Sequence, residues 1–341
     1  GAPRMCLIWV LPPVVAAIAS WIAATRYDCP RCACTSLPRL EEPAPSRTPP
    51  RRNMVMYGNC SYEAEGVSSS AVRELRRLSA QAEVAFPAEL EILEHVCGLR
   101  DGRRIADIGC GAGDVARALL RALPHARVVC ADMDPRMLRR ARRSLELTPE
   151  AAGRWSVSYF DLTREDVVWR DDQRFDFAIV RYVLQHLPHP LRAARVLHRM
   201  LRPGGVAALI DVDDGIGAVV HPPINALGRH AAALRALQHA RGGNRLIGRE
   251  MPKLLRSAGF RQVRVRAALA SSDSVENGLD LFRIFIDAER LLPLVQLGAI
   301  RHSALMRARR AVARWFDKHN EDVATVMIPS LIVCGVHVAR H

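Results

Sequence analysis

Hydrophobic and polar residues follow two different repeats along most of the chain. Short apolar runs such as "RIADIG", "ARVVCADM" and "FDFAIVRYVL" are typical of buried strands. Between them, segments such as "DVARALLRAL" and "LRAARVLHRML" repeat their apolar residues at three- and four-residue spacing, as amphipathic helices do. From about Val72 onward, seven predicted strands alternate with helices. This order predicts an α/β fold built on a doubly wound, mostly parallel sheet.

Two stretches depart from this alternation. Residues 213–245 and 274–322 have helical patterns at points where the next strand is expected. The second contains "LDLFRIFIDAERLLPLVQLGAI", which is too apolar to lie free in water and must cover another surface. Ligands bind at the carboxyl ends of the strands in such sheets. We therefore expect both stretches, together with a segment near 54–85, to form a cap over the ligand cleft.

The first 53 residues form a separate region. Residues 5–24 form an uncharged segment. The segment is long enough for a membrane span or a signal-peptide core, although two prolines interrupt it. Residues 28–53 are rich in proline and arginine and show no periodicity, which indicates disorder. Three interpretations stay open: sequence that is not native to the protein, a signal or anchor, or a disordered tail. The folded domain is expected to span 54–341, and no membrane partner is expected if 1–53 is non-native.

Charge and cysteine content narrow the classes of partner. The net charge of +14 first suggests an anionic partner, but Lys253 and Lys318 are the only lysines, so 47 of the 49 basic residues are arginines. These are dispersed, as on a solvated surface, and a nucleic-acid partner is therefore not expected. The nine cysteines offer no second pair that would complete a zinc site with Cys29 and Cys32, so no metal is expected. Their odd number, without a disulfide framework, indicates a reducing, cytoplasmic setting.

Three glycines at alternate positions follow the first predicted strand. Gly109, Gly111 and Gly113 join this strand to a helix, which creates a place where a ligand can approach the backbone closely. Their spacing differs from the G-x-G-x-x-G that places a pyrophosphate at a helix N-terminus. Asp107 ends the strand and is expected to point into the same cleft. A carboxylate at this position suits an ammonium group better than a phosphate.

Two further carboxylates end the next two predicted strands. Asp132 follows Asp107 by 25 residues and is placed to accept hydrogen bonds from ribose hydroxyls. Asp161 ends the third strand at the same edge, where it could accept from an exocyclic amine. The cleft thus offers three carboxylates to a ligand that contains an amine, a ribose and an adenine. A helix cap at Asp132 and a turn at Asp161 are the simpler structural alternatives.

Five segments, taken in order, resemble the class I S-adenosylmethionine-dependent methyltransferases. They are "DIGCGAG" (107–113), "VVCADMDPRML" (128–138), "FDL" (160–162), "FDFAIVRYVLQHLPHP" (175–190) and "LRPGGVAALID" (201–211). The resemblance covers about residues 86–212 well and the remainder loosely. It implies a Rossmann-like sheet and S-adenosyl-L-methionine as the cofactor. The stretch "VLQHLPHP" followed by "LRPGG" is most similar to the small-molecule branch, as in ubiquinone and menaquinone biosynthesis and natural-product tailoring.

The resemblance also assigns roles to individual residues. It implies that Asp107 and the three glycines face the methionine part, that Asp132 binds the ribose, and that Asp161 binds the adenine amine. It further implies that Arg181 gives a backbone contact near the methionine amine. Two neighbours complete the implied cofactor-binding set: Met133 and Leu162.

The acceptor side of the cleft has weaker candidates. His186 lies just beyond the fourth predicted strand, where a general base would assist methylation of a hydroxyl, an amine or an acidic carbon. A structural role at the rim is the alternative for this histidine. The candidate substrate contacts are Tyr182, His221, Phe282 and Phe285.

Three functions remain open at this point. The chain is expected to transfer a methyl group from S-adenosylmethionine to the oxygen, nitrogen or carbon atom of a small molecule, in secondary metabolism or quinone-like biosynthesis. The alternatives are an RNA or protein methyltransferase, and a non-catalytic relative that only binds S-adenosylmethionine. The sequence names neither the acceptor nor the oligomeric state.

Overall fold

The protein is an α/β domain. The computed structural model describes residues 71–272, 292–296, 300–319 and 324–338, so the segment 1–53 lies outside the described residues. In chain order the elements are α1 (Ala71–His95), β1 (Arg104–Ile108), α2 (Asp114–Ala122), β2 (Arg127–Asp132), α3 (Pro135–Glu146), β3 (Trp155–Tyr159), β4 (Phe175–Arg181), α4 (Pro190–Met200), β5 (Leu201–Asp211), β6 (Val219–His221), α5 (Asn225–Ala240), α6 (Met251–Ser257), β7 (Arg261–Ser271), α7 (Leu292–Gln296), α8 (His302–Lys318) and β8 (Thr325–Val336).

One mixed sheet joins the described strands in the order β3-β2-β1-β4-β5-β8. The first five are parallel to one another, and β8 runs antiparallel to β5, β6 and β7. Met327 of β8 pairs with Ser271 of β7 and with Val219 of β6, so β6 lies on the edge of β8 that β5 also occupies. The predicted α/β class with a mostly parallel sheet is confirmed. The sheet has eight described strands rather than the predicted seven, because the three-residue β6 adds one.

The two faces of the sheet are covered by different helices. On β1, Ile105 packs in a core with residues of α1, α2 and α3, whereas Ala106 packs on the opposite face with residues of α4 and α6. This follows from the alternation of side chains along a strand. Asp107 therefore lies on the face that α1 and α2 cover, and Arg181, which ends β4, lies on the same face because Asp107 pairs with Ile179 two positions before it.

Helix α1 is continuous, although the sequence predicts separate helices over 71–86 and 87–99. Pro87 lies inside it and provides no N–H for an intrahelical bond. The residues on either side of the proline are held by tertiary contacts, since Phe86 and Leu93 both belong to the core beneath the sheet. Packing thus maintains a helix that the local sequence alone would interrupt.

The segments that follow β5 and β7 pack together at one edge of the sheet. Because β8 is antiparallel to β5, its first residues extend beyond the carboxyl end of β5. A small core forms there from α1, β7, β8 and α8, with Trp315 donating from Nε1 to the carbonyl of Pro222 at 2.6 Å. A second apolar cluster joins α5, α7 and α8 around Leu305 and Ala308. Within the described ranges, none of the helices has both the length and the apolar character that crossing a bilayer requires.

Candidate functional site

The glycine loop, residues 109–113, joins β1 to α2 with a backbone that favours glycine. The φ angles of Gly109, Gly111 and Gly113 are +72°, +54° and +84°. A Cβ on Gly109 would overlap Cγ2 of Val183, and a Cβ on Gly113 would lie 3.2 Å from Cα of Ala141. A Cβ on Gly111 would have no protein atom within 4 Å. Two of the glycines therefore allow close packing, and the third faces open space.

Asp107 is a buried carboxylate with an unused oxygen. Its residue is 2% exposed, and its Oδ2 has no hydrogen-bond partner among the described residues. Burial raises the pKa of Asp107 to about 7; the charge of Arg181 opposes this shift, and the charge of Asp132 adds to it. A buried polar atom without a partner indicates a missing ligand atom or water.

Asp132 ends β2 beside the loop and helps to fix it. Its Oδ2 accepts from the N–H of Gly111 at 3.0 Å, and its Oδ1 accepts from the N–H of Asp134 at 2.8 Å. Burial raises the pKa of Asp132, while these two N–H groups oppose the shift. Each carboxylate oxygen can accept a second hydrogen bond. Asp134, and not Asp132, caps α3, since it accepts from the N–H of Arg136 at 2.8 Å.

Asp161 follows β3 and forms a local turn. Its Oδ1 accepts from the N–H of Thr163 at 2.8 Å and from the hydroxyl of Thr163 at 2.6 Å. Both bonds use the same oxygen, so Oδ2 retains its capacity to accept. Leu162 beside it is buried in the core of the opposite face. The turn and an amine contact are therefore compatible at this residue.

Arg181 forms a buried ion pair with a residue that the sequence analysis did not select. Its Nε donates to Oε2 of Glu89 at 2.6 Å; the side chain of Arg181 is 8% exposed and that of Glu89 is 0% exposed. Tyr182 follows with a φ of +56°, and its hydroxyl lies 2.6 Å from that of Ser330. Ser330 donates to Oε1 of Glu89 at 2.9 Å, and the tyrosine hydroxyl lies 3.3 Å from the same oxygen. Helix α1 is thereby tied to β4 and β8.

Residues 106–207 match the model of a methyltransferase domain family. The match contains the end of β1 with Asp107, the glycine loop, Asp132 and β4, which are the parts that form the site above. Over these residues the chain is similar to methyltransferase domains, in agreement with the resemblance to the class I S-adenosylmethionine-dependent methyltransferases.

The relatives of this methyltransferase domain match part of the chain. A ubiquinone biosynthesis O-methyltransferase of Alkalilimnicola ehrlichii is 34% identical over 120 residues, which cover 35% of this chain and 45% of that protein. A ubiquinone/menaquinone biosynthesis C-methyltransferase of Pseudomonas paraeruginosa is 34% identical over 109 residues, or 32% and 41% of the two chains. The match thus spans less than half the length of either relative. A solved Haemonchus contortus phosphoethanolamine N-methyltransferase 2 aligns with a TM-score of 0.43 at 18% identity over 74% of this chain and 53% of that one.

The residues of the methyltransferase domain fit the cofactor of its family. The unpartnered Oδ2 of Asp107 matches an ammonium group, and the free acceptor capacity of Asp132 matches two ribose hydroxyls. The open side of Gly111 leaves room for a ligand against the backbone. Met133 is partly buried directly after Asp132, at the edge where a nucleoside would lie. These four positions are adjacent because β1 and β2 are neighbouring parallel strands.

On the acceptor side, a single helical turn at Leu184–His186 follows β4. Asp211 ends β5 and accepts from the N–H of Gln185 at 3.1 Å. Burial raises the pKa of Asp211 to about 7, although the N–H groups of Val212 and Gln185 oppose the shift. Gln238 of α5 donates from Nε2 to the carbonyl of Gln185 at 2.8 Å, and the same nitrogen lies 3.3 Å from Nδ1 of His186. These bonds join the turn to the segment that follows β5.

The other predicted substrate contacts have different surroundings. The hydroxyl of Tyr182 is engaged with Ser330 and Glu89, so its ring, and not its hydroxyl, is the part that remains for a ligand. His221 is exposed on β6, where it pairs with Thr325 of β8. Phe282 and Phe285 lie outside the described residues.

Sequence reasoning missed Glu89 and Gln238. The signal for Glu89 was present, because it lies four residues before Leu93 on the helix face that also carries Phe86. A charged residue on the buried face of an amphipathic helix requires a partner. Gln238 gave no such signal, since a glutamine in a helix of low amphipathicity is ordinary on a surface.

Proposed function

We propose that this protein transfers a methyl group from S-adenosyl-L-methionine to a small-molecule acceptor, at oxygen, nitrogen or carbon. The observation that carries the proposal is the unpartnered, buried carboxylate oxygen of Asp107 beside an open glycine loop. Among the residues that the structure describes, none satisfies this oxygen, whereas the ammonium group of the cofactor would. The matches to two quinone-biosynthesis methyltransferases support a small, moderately apolar acceptor.

The cap segments also support a small acceptor. Helices α5, α7 and α8 pack around one apolar cluster, and a second core joins α8 to β8 at the carboxyl edge of the sheet. We infer that the cap, with Phe282 and Phe285 as its apolar contacts, encloses the acceptor and excludes duplex nucleic acid. Pockets for small ligands are mostly apolar with a few placed polar groups, which His186 and His221 would supply beside the ring of Tyr182.

The chemistry requires orientation and exclusion of water more than it requires an acid. When bound, S-adenosylmethionine supplies an electrophilic methyl group on its sulfonium. In our proposal Asp107, Asp132 and Asp161 hold the amine, the ribose and the adenine, with Leu162 and Met133 beside them. The backbone of Arg181 contacts the methionine part near its amine. The protein thereby fixes the direction of the sulfur–methyl bond toward the acceptor side.

His186 is the proposed acceptor-side catalytic residue, and its hydrogen bonds limit its role. Gln238 Nε2 is identified as the amide nitrogen because it also contacts the carbonyl of Gln185. It is therefore a donor to His186 Nδ1, and a neutral imidazole then carries its hydrogen on Nε2. In this arrangement His186 orients an acceptor by donating to it. General-base catalysis requires the contact between Gln238 and His186 to open.

The proposal places the reaction in the cytoplasm. Cys97, Cys110, Cys130 and Cys334, which are the cysteines within the described ranges, are buried and free. Free buried thiols suit a reducing compartment. The same proposal expects neither a nucleic-acid nor a membrane partner for residues 54–341.

A labelled-methyl assay tests the function. The protein is incubated with S-adenosylmethionine labelled in its methyl group and with a panel of phenols, quinol precursors, amines, bulk RNA and protein. We expect label in a low-molecular-weight, solvent-extractable product, and much less label with Asp132→Ala, the matched variant with weakened cofactor binding, when the cofactor is below saturation. Label that precipitates with RNA or protein would contradict the small-molecule proposal. Binding of the cofactor without transfer to any acceptor would favour a non-catalytic role.

A further inference from the structure

The ion pair between Glu89 and Arg181 is the feature of the site that the proposed function does not yet use. A buried ion pair gains little net stability, because desolvation of both charges offsets their attraction. Here additional contacts also fix the positions of both side chains. Glu89 accepts from Arg181 at 2.6 Å and from Ser330 at 2.9 Å, and the guanidinium lies 4.5 Å from the ring centre of Tyr182. The guanidinium is therefore held in one position.

The position of Arg181 places it beside Asp107. The two residues end neighbouring parallel strands on the same face of the sheet, offset by two positions in register. Burial disfavours the charge of Arg181, but Glu89, Tyr182 and Asp107 together favour it, and the pKa of Arg181 is raised. One anionic and one cationic group thus end neighbouring strands on the same face of the sheet, next to the glycine loop.

The hydrogen bonds of Arg181 leave one of its nitrogens available. Nε and Nη2 donate to Glu89, and Nη2 also donates to the carbonyl of Gln81 at 3.3 Å. None of these bonds uses Nη1. At Asp107 the unused atom is Oδ2. The unused donor and the unused acceptor together form a site for a group that has both charges, such as the α-amino acid end of a ligand.

We propose that Glu89 is a positioning residue that holds Arg181 so that Nη1 binds the carboxylate of the methionine part, while Asp107 accepts from its ammonium. The inference rests on the proposed function, since it concerns the same cofactor. It assigns a side-chain role to Arg181, and it makes cofactor affinity depend on Glu89, which acts through another residue. Ser330 and Tyr182 support Glu89 from β8 and β4.

The test compares ligands that differ only in the amino acid end. Calorimetry measures the Kd of S-adenosylhomocysteine, of its decarboxylated analogue, and of 5′-methylthioadenosine, which lacks the amino acid end. With the wild-type protein, removal of the carboxylate should weaken binding by about tenfold or more, as expected for a hydrogen bond between charged groups. Glu89→Gln and Arg181→Met should each raise the Kd of S-adenosylhomocysteine by about the same factor. Both variants should leave the Kd of 5′-methylthioadenosine within about twofold of the wild-type value.

The matched control is Asp176→Asn. Asp176 pairs with Arg202 at 2.9 Å and lies near the opposite end of β4. This variant removes a carboxylate from an ion pair on the same strand, and it should change none of the three affinities. Thermal unfolding of each variant shows whether the fold is retained.

Each outcome has a distinct meaning. Failure of the wild-type protein to bind S-adenosylhomocysteine would refute the proposed function itself. If the wild-type protein binds it, equal weakening of S-adenosylhomocysteine and 5′-methylthioadenosine by Glu89→Gln would make Glu89 merely structural and overturn the inference. If the Glu89 and Arg181 variants do not fold, the wild-type protein alone decides. Equal affinity for S-adenosylhomocysteine and its decarboxylated analogue would overturn the inference, and a tenfold difference between the two affinities would support it.

Discussion

The cofactor side and the acceptor side of the cleft differ in whether their buried polar groups have hydrogen-bond partners. Beside the glycine loop, one oxygen of Asp107 has no partner in the part of the chain that the structure describes, and Asp132 keeps part of its accepting capacity. On the acceptor side, Gln185 is held from both ends, by Asp211 and by Gln238. An unsatisfied buried group marks where a polar ligand atom belongs, and a satisfied one does not. In the proposed function, the cofactor is therefore recognised by its charges, and the acceptor by the shape and apolar character of the cap.

Asp107→Asn should have the largest effect, because it removes the charge that the protein leaves uncompensated. The pKa of Asp107 is raised from 3.8 to about 7, so ionisation is easier in the unfolded chain. The wild-type protein therefore loses stability as the pH rises from about 4 to 7, and above this range the loss is complete. Asn cannot ionise, and the variant should be more stable than wild type by at most about 4 kcal/mol at pH 8 and by little at pH 4.

Urea unfolding of both proteins between pH 4 and 8 measures this difference. The same substitution should weaken the binding of S-adenosylhomocysteine by roughly tenfold or more, because the ammonium group of this ligand loses a charged acceptor. A difference in stability that does not change with pH would show that Asp107 is not the titrating group.

Gly109→Ala should destabilise the protein by about 2–5 kcal/mol, from a left-handed backbone and from overlap with Val183. Gly153→Ala is the matched control: φ is +70° there, and a Cβ would have no atom within 4 Å. It should lose only about 1–2 kcal/mol. The free energy of unfolding in urea separates the two variants, and equal losses would mean that the loop does not need its close packing.

Asp132→Ala should weaken the binding of S-adenosylhomocysteine by about 1.5–3 kcal/mol, because the two ribose hydroxyls lose a charged acceptor. Asp134→Ala, the control, removes the cap of α3 and should lower stability by about 1 kcal/mol without a change in affinity. Calorimetry and thermal unfolding of both variants distinguish the roles. An unchanged affinity in Asp132→Ala would reduce Asp132 to a residue that shapes the loop.

Gln238→Leu should have the smallest effect and addresses the acceptor side alone. The hydrogen bond from Gln238 stabilises the neutral tautomer of His186 that carries its hydrogen on Nε2. Its loss should reduce the free-energy difference between the two tautomers by about 0.5–1.5 kcal/mol. Nitrogen-15 NMR of the histidine rings, with His186→Asn for assignment, should show an acceptor-type Nδ1 in wild type and a mixture in the variant. A protonated Nδ1 in wild type would exclude the proposed donor role of His186.

The two sides also differ in how far the sequence predicts them. The cofactor side is built mainly from residues that end consecutive parallel strands, so the motif "DIGCGAG" and the position of Asp132 indicated where they would meet. Glu89 was missed because it reaches the site from α1, a helix whose register depends on packing across Pro87. Strand β6 was missed because three residues are too short to show a repeat.

The acceptor side depends on contacts between residues far apart in the chain. Gln238 and His186 are separated by 52 positions and meet because α5 folds back over the turn after β4. No local pattern encodes this contact. The roles of Phe282, Phe285 and His221 stay predictions for the same reason, because they depend on how the cap packs.

The most direct test of the account is a calorimetric titration of the purified protein with S-adenosylhomocysteine and, separately, with NADH. The charged cofactor side predicts micromolar-class binding of S-adenosylhomocysteine, with a free energy of roughly −8 kcal/mol, and no comparable binding of NADH. Tight binding of NADH with no heat from S-adenosylhomocysteine would contradict the account, because the carboxylate of Asp107 would then have to face a phosphate.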